Sequence, residues 1–201
     1  MQLNPVSAFA AALAGAITLA TVWACSSSGG NGTGPGGTNV SLSGCVPNDD
    51  AGTCSAQGCF CNRGGCSFTC GTPVEGGINV DCAQTSCTGT CQQSCNFDCS
   101  QGQCSVDVGS GSTVDCSQAT GCTGTVGADA SVNCLQASCT LTLGQGDTVV
   151  CEQAHACDLT CTGDCTASCE QATSCTLHCA QGTPTTCSDT ITHVCGAAKC
   201  P

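Results

Sequence analysis

Cysteine recurs through this chain at a step of 17 or 18 residues: Cys82, Cys99, Cys116, Cys134, Cys151, Cys169 and Cys187. A second series keeps the same step at Cys87, Cys104, Cys122, Cys139, Cys157 and Cys175. A fixed period this short implies units that cannot bury an apolar face alone and must stack on their neighbours. The contents of the unit follow the same step. Two residues before the first Cys stand Val80, Phe97, Val114, Val132, Val149, Ala167 and Thr185. Two residues after it stand Gln84, Gln101, Gln118, Gln136, Gln153 and Gln171. Beyond the second Cys come Gly89, Val106, Gly124, Leu141, Leu159 and Leu177, then Cys91, Val108, Val126, Leu143, Cys161 and Cys179. Every second residue is apolar or cysteine, which is the period of a strand with one buried face.

An earlier copy lies at Cys59, Cys61, Cys66, Phe68 and Cys70, separated from the next by an insertion at about 72–79. Eight units are expected, beginning near Cys59, Val80, Phe97, Val114, Val132, Val149, Ala167 and Thr185, the last one degenerate. The four-residue spacing Cys87-Cys91-Cys95-Cys99 would also align on a helix. Its neighbours are Thr, Gly, Ser and Asp, which are poor helix formers. The expected fold is therefore all-β: a small disulfide-stapled β-solenoid of about eight coils. In such a stack the six Gln are expected to form an internal or turn-facing amide ladder.

Cysteine makes up 27 of 201 residues, against one Trp, four Phe and no Tyr. A chain this poor in aromatics has a narrow interior and depends on covalent staples. The two cysteines of a coil face each other across a short turn. Stacked cysteines in successive coils carry parallel Cβ vectors, which do not converge as a disulfide requires. The expected pairs are Cys61–Cys66, Cys82–Cys87, Cys99–Cys104, Cys116–Cys122, Cys134–Cys139, Cys151–Cys157 and Cys169–Cys175. Each closes a short loop, which in the chain-entropy account is worth about 2 kcal/mol. The other cysteines are expected to brace mainly the ends. Cys-x-x-Cys, the commonest zinc and iron–sulfur spacing, does not occur, so no cofactor is expected and metal–thiolate binding is only an alternative.

Two Lys+Arg stand against 14 Asp+Glu, a net charge of -12. Such a chain neutralises no phosphates, which excludes nucleic acid and anionic membrane surfaces as partners. The three histidines, His155, His178 and His193, are spread over a turn, an outward position and an inward position near the end. The repeat places no Ser, Cys or Asp beside any of them, and no catalysis is expected. Asp129, Asp147 and Asp164 fall in successive loops beside glycine and are expected to be solvated turn residues.

An apolar run from Val6 to Ala24 closes on Val22-Trp23-Ala24-Cys25, followed by Ser26 and a Gly/Ser/Thr/Asn-rich stretch. This resembles a bacterial lipoprotein signal with its lipobox, and the resemblance covers the first 25 residues. It implies lipidation at Cys25, a membrane partner through the lipid anchor, and, with Ser26 next, the outer membrane. The same run also fits plain secretion or an uncleaved anchor. Taking Cys25 out of the pool leaves an even number of cysteines. The expected organisation is a signal peptide at 1–24, a lipidated Cys and tether at 25–44, a Cys-containing cap at 45–58 and the solenoid at 59–201.

Thr88, Thr90, Thr123, Thr125, Thr140 and Thr142 fall on outward positions of the second strand. Such T-x-T arrays on a stapled coil resemble hyperactive insect antifreeze proteins, which implies binding to ice or another flat surface. Threonine is also simply a good exposed strand residue. The leading expectation is a cell-envelope protein with a structural or interaction role, an adhesin or scaffold for an unknown protein or surface. Ice or flat-surface binding is the alternative.

Overall fold

The computed structural model describes residues 45–49, 51–55, 58–61, 64–71 and 77–201. The expected signal peptide, Cys25 and the expected tether lie outside them. Two strands come first, β1 (Cys45–Pro47) and β2 (Gly52–Ser55). Seven strand pairs then repeat. They are β3 (Gly58–Cys61) with β4 (Cys66–Cys70), β5 (Ile78–Asp81) with β6 (Cys87–Gln93), and β7 (Cys95–Asp98) with β8 (Gln103–Ser110). Next come β9 (Thr113–Asp115) with β10 (Gly121–Val126), β11 (Ser131–Asn133) with β12 (Ser138–Leu143), β13 (Asp147–Val150) with β14 (Ala156–Cys161), and β15 (Cys165–Ser168) with β16 (Cys175–Cys179). A hairpin, β17 (Thr185–Thr186) and β18 (Thr192–Cys195), ends the chain.

The even-numbered members of the pairs stack in parallel as sheet A, and the odd-numbered members stack in parallel as sheet B. The protein is thus a disulfide-stapled β-solenoid. Register follows the repeat: Cys104, Cys122, Cys139 and Cys157 are direct neighbours, as are Val114, Val132 and Val149. The inward columns are buried, with Phe68, Val106, Leu141 and Leu159 of sheet A facing Val80, Phe97, Val114 and Val149 of sheet B. Large and small residues are complementary across the gap. A Cβ on Gly89 would meet the ring of Phe97, so the glycine makes room for the largest buried side chain nearby.

The six first turns from Cys82 onward share one construction. The carbonyl of Cys82 accepts the N–H of Thr85 at 3.1 Å, and Gln84, the third turn residue, has φ 67°. Gln101, Gln118, Gln136, Gln153 and Gln171 repeat that left-handed conformation with φ between 53° and 65°. Asp81, Asp98, Asp115 and Asn133 brace the turns, each accepting through Oδ1 the N–H two residues on at 2.9–3.1 Å. The turns stack through backbone bonds, such as Gln118 N–H to Leu135 O at 2.7 Å.

Four expectations are corrected here. The unit near Thr185 is not an eighth coil: β18 runs antiparallel to β15 and β17 antiparallel to β18, so the repeat ends in a hairpin lid after six parallel steps. Its second Cys place is held by Ile191, so the staple that closes other coils is missing. The insertion is shorter than the spacing suggested, because Ile78 and Asn79 belong to β5. The glutamines form no internal ladder. A left-handed residue at a turn's third position aims its side chain outward; all six are exposed, and among the described residues one amide pair is linked, Gln136 Nε2 to Gln153 Oε1 at 2.9 Å. Asp147 is not a solvated loop residue but is buried at 1% exposure.

That aspartate belongs to a column at the second corner of the coil: Ile78, Cys95, Ser112, Ala130, Asp147 and Cys165. Asp147 accepts the N–H of Ala130 at 2.9 Å through Oδ1 and that of Gly144 at 2.7 Å through Oδ2. Ser112 works alike, accepting from Cys95 N–H at 3.2 Å and donating to Gly109 O at 2.8 Å. Where the corner residue is Cys, a disulfide closes the corner instead, Cys91–Cys95 and Cys161–Cys165. The corner is thus held covalently toward both ends of the stack and by hydrogen bonds in its middle.

Candidate functional site

Disulfides join Cys61–Cys66, Cys82–Cys87, Cys99–Cys104, Cys116–Cys122, Cys134–Cys139, Cys151–Cys157 and Cys169–Cys175, one across each first turn. The ends add Cys45–Cys70, Cys54–Cys59, Cys179–Cys195 and Cys187–Cys200. With the two corner bridges, all 26 described cysteines are paired. Two of the six bridges beyond the seven thus lie within coils, at second corners that the sequence did not single out. Two groups of three sulfurs come within 4.8 Å of one another, Cys134/Cys151/Cys157 and Cys161/Cys165/Cys195, and each of these atoms is in a disulfide.

The face these staples hold in place is the outer side of sheet A. Alternation turns two columns outward. The first is Ser67, Thr88, Ser105, Thr123, Thr140, Asp158 and Thr176. The second is Thr69, Thr90, Asp107, Thr125, Thr142, Thr160 and His178. Neighbours in a column are about 4.8 Å apart, and the columns lie roughly 6.6 Å apart along the strand. All six threonines named from the sequence lie on this face. Ser67, Thr69, Thr160 and Thr176 extend it; one repeat step leads from Thr142 to Thr160 and two lead from Thr140 to Thr176, whereas Ser67 and Thr69 lie before the insertion and out of step with Thr88 and Thr90. Gly124, at φ +138°, brings its strand against the carbonyl of Val106, where a Cβ would not fit. Thr123 donates its hydroxyl to Cys104 O at 3.3 Å.

The face is dished toward its N-terminal half. One hollow of about 330 Å³ is lined by Ser67, Thr88, Ser105, Thr123 and Gln103. A second, of about 300 Å³, is lined by Thr69, Thr90, Asp107 and Gln92. At the C-terminal end of the face His178 Nε2 lies 3.2 Å from Asp158 Oδ1, with both side chains more than half exposed. This pairing was missed because the two residues belong to different outward columns and meet only diagonally, between adjacent coils. His193 contacts Thr186 Oγ1 through Nδ1 at 3.2 Å, and His155 is exposed in a first turn. The three histidines are not brought together. Among the described residues no helix is long and apolar enough to cross a membrane.

The outer side of sheet B is more acidic. Phe60 stands at the head of a column that continues as Asp81, Asp98, Asp115 and Asn133, beside Asn79 and Asn96. Asn96 donates to Asn79 at 2.9 Å, and Phe60 is 40% exposed. Comparison with protein-family models, with curated proteins and with solved structures finds no match to this chain.

Proposed function

We propose that the chain is a bacterial cell-envelope lipoprotein, tethered through Cys25, whose solenoid is a non-catalytic structural or interaction module. The observation that carries this reading is the hydroxyl lattice of sheet A, held on parallel strands whose every coil is closed by a disulfide. Disulfides persist in oxidising compartments, which agrees with export. A rigid face loses little conformational entropy when it docks, so many weak hydroxyl contacts can sum to useful affinity. The test has two arms. A Cys25→Ala precursor is expected to lose membrane association; partitioning into detergent as before would remove the anchor. The chain starting at Ser26 is expected to sediment with isolated bacterial envelopes, and Thr125→Lys with Thr142→Lys to abolish this. Unchanged sedimentation would remove the face.

A second reading is favoured by the block Thr123, Thr125, Thr140 and Thr142, where four threonines stand in register with no charge between them. It makes this block a binder of ice or another flat lattice. Inhibition of ice recrystallisation that Thr123→Lys abolishes supports that reading; no inhibition by the wild type removes it.

A further inference from the structure

The C-terminal lid meets the last coil through four cysteines placed at the corners of a rectangle. Cys161–Cys165 closes the second corner of one coil, and Cys179–Cys195 ties β16 to the lid strand β18. The other two sides of the rectangle are set by strand register. Cys161 is the direct neighbour of Cys179 in the parallel pair β14/β16. Cys165 is the direct partner of Cys195 in the antiparallel pair β15/β18. Directly opposed residues in an antiparallel pair have Cα atoms about 4.5–5.5 Å apart, inside disulfide range. The molecule already uses this relationship at its other end: Cys45 opposes Cys70 and Cys54 opposes Cys59 in antiparallel pairs, and both pairs are bonded. The sulfurs of Cys161, Cys165 and Cys195 lie within 4.8 Å of one another.

We propose that Cys161, Cys165, Cys179 and Cys195 form a thiol–disulfide exchange site that takes an external dithiol and rewires the lid from Cys179–Cys195 to Cys165–Cys195. Access is asymmetric. Cys161, Cys165 and Cys195 are at most 1% exposed, whereas Cys179 is partly exposed and lines a cleft of about 190 Å³ with Asp164, Gln181 and Gly196. A thiolate of the dithiol enters there and attacks Cys179 Sγ. The Cys179–Cys195 bond breaks, and the electron pair leaves on Cys195 as a thiolate. The second thiol of the reactant attacks the mixed disulfide and departs as a cyclic disulfide, leaving Cys179 reduced. Cys195 is now a buried thiolate beside an intact disulfide. It attacks Cys165, forms Cys165–Cys195 and expels Cys161 as a thiolate, which takes up a proton. In sum, one dithiol is oxidised, one protein disulfide is reduced, and the two new thiols are Cys161 and Cys179. The lid stays covalently fixed, now to its own sheet neighbour. A reactive thiol is left at the cleft. Asp164 on the cleft wall disfavours anionic reactants and favours neutral or cationic dithiols.

The test uses the oxidised full chain and dithiothreitol, added stepwise until Cys179 becomes alkylatable, with acid quench, alkylation and mapping of non-reduced peptides. The expected result is alkylation of Cys161 together with Cys179, loss of the Cys161–Cys165 peptide and gain of a Cys165–Cys195 peptide. Alkylation of Cys179 together with Cys195, with Cys161–Cys165 intact, overturns the exchange. Labelling of Cys179 only at the step that also labels the mid-stack Cys116 and Cys134 overturns the site, because it would mean global unfolding. In the Cys161→Ser/Cys165→Ser variant the label is expected to move to Cys195. Should that variant not fold, the wild-type map alone decides.

Discussion

Asp147 accepts, through Oδ1, the backbone N–H of Ala130, the residue stacked one coil before it, at 2.9 Å. Among the described residues no cation lies beside this carboxylate, and burial is the largest influence on it. Burial pushes its pKa above the usual 3.8, the negative charge of Asp129 adds to the rise, and the N–H groups of Ala130 and Gly144 oppose it. The folded state therefore holds this proton more tightly than the unfolded chain. The stabilisation from protonating Asp147 is fully present below about 3.8, the unfolded value, and is lost as pH rises through the higher folded pKa. Relative to Asp147→Asn, the wild type is expected to gain stability as pH is lowered from neutral. Thermal unfolding over a pH series reads this, and parallel profiles would refute it. Asp147→Ala leaves two backbone N–H groups without their acceptor and is expected to cost about 1–3 kcal/mol, more at low pH than at neutral pH.

A second expectation concerns the closest fit between the sheets. Gly89 lies where a Cβ would enter the ring of Phe97, itself 1% exposed. Gly89→Ala is expected to destabilise by about 1–3 kcal/mol through overpacking. Phe97→Leu should recover part of that loss in the double variant, because the two sites share one volume. Additive losses in denaturant unfolding would show that the clash is relieved elsewhere.

Glutamine at a left-handed turn position is tested most simply at Gln118, which is exposed with φ 59°. Gln118→Gly should leave stability unchanged or slightly raised, because glycine adopts this conformation without penalty. Gln118→Val should cost about 1–2 kcal/mol, since the left-handed region is unfavourable for residues with a Cβ. Equal losses for both would mean that the side chain, rather than the backbone, makes the contribution.

The stack was legible in the sequence wherever one residue type recurs in one column. The valines and leucines that alternate with cysteine define both sheets, and their step defines the register. The ends were not legible, because Thr185–Cys195 carries the same alternation whether it continues the parallel stack or folds back. What turns it back is tertiary: β18 pairs antiparallel with β15. Asp147 reads as a loop residue by its glycine neighbours, and only the structure shows it taking the place that cysteine holds at Cys95 and Cys165. The hydroxyl face was half legible. Threonine at 88, 123 and 140 is visible as a column, whereas Asp158 and His178 read as interruptions until their diagonal contact is seen.

The staples make the last prediction. Thirteen bridges account for 26 cysteines, so the chain lacking Cys25 is expected from an oxidising host with a mass lower by 26 hydrogens and no alkylatable thiol. The interior behind those bridges is narrow. At mid-stack it holds one valine column against glycine and leucine, such as Val114 and Val132 opposite Gly124 and Leu141. Removing one mid-stack bridge as Cys116→Ala/Cys122→Ala is expected to cost about 2 kcal/mol from the loss of a short closed loop, and somewhat more if the buried sulfurs leave a void. The coil should survive this, because both neighbours hold their register by backbone bonds to it. Full reduction removes the constraint from every coil at once and is expected to abolish the β circular-dichroism signal at ambient temperature. A fully reduced chain that keeps that signal would show that the parallel ladders and the apolar columns suffice alone, and would overturn the dependence on disulfides.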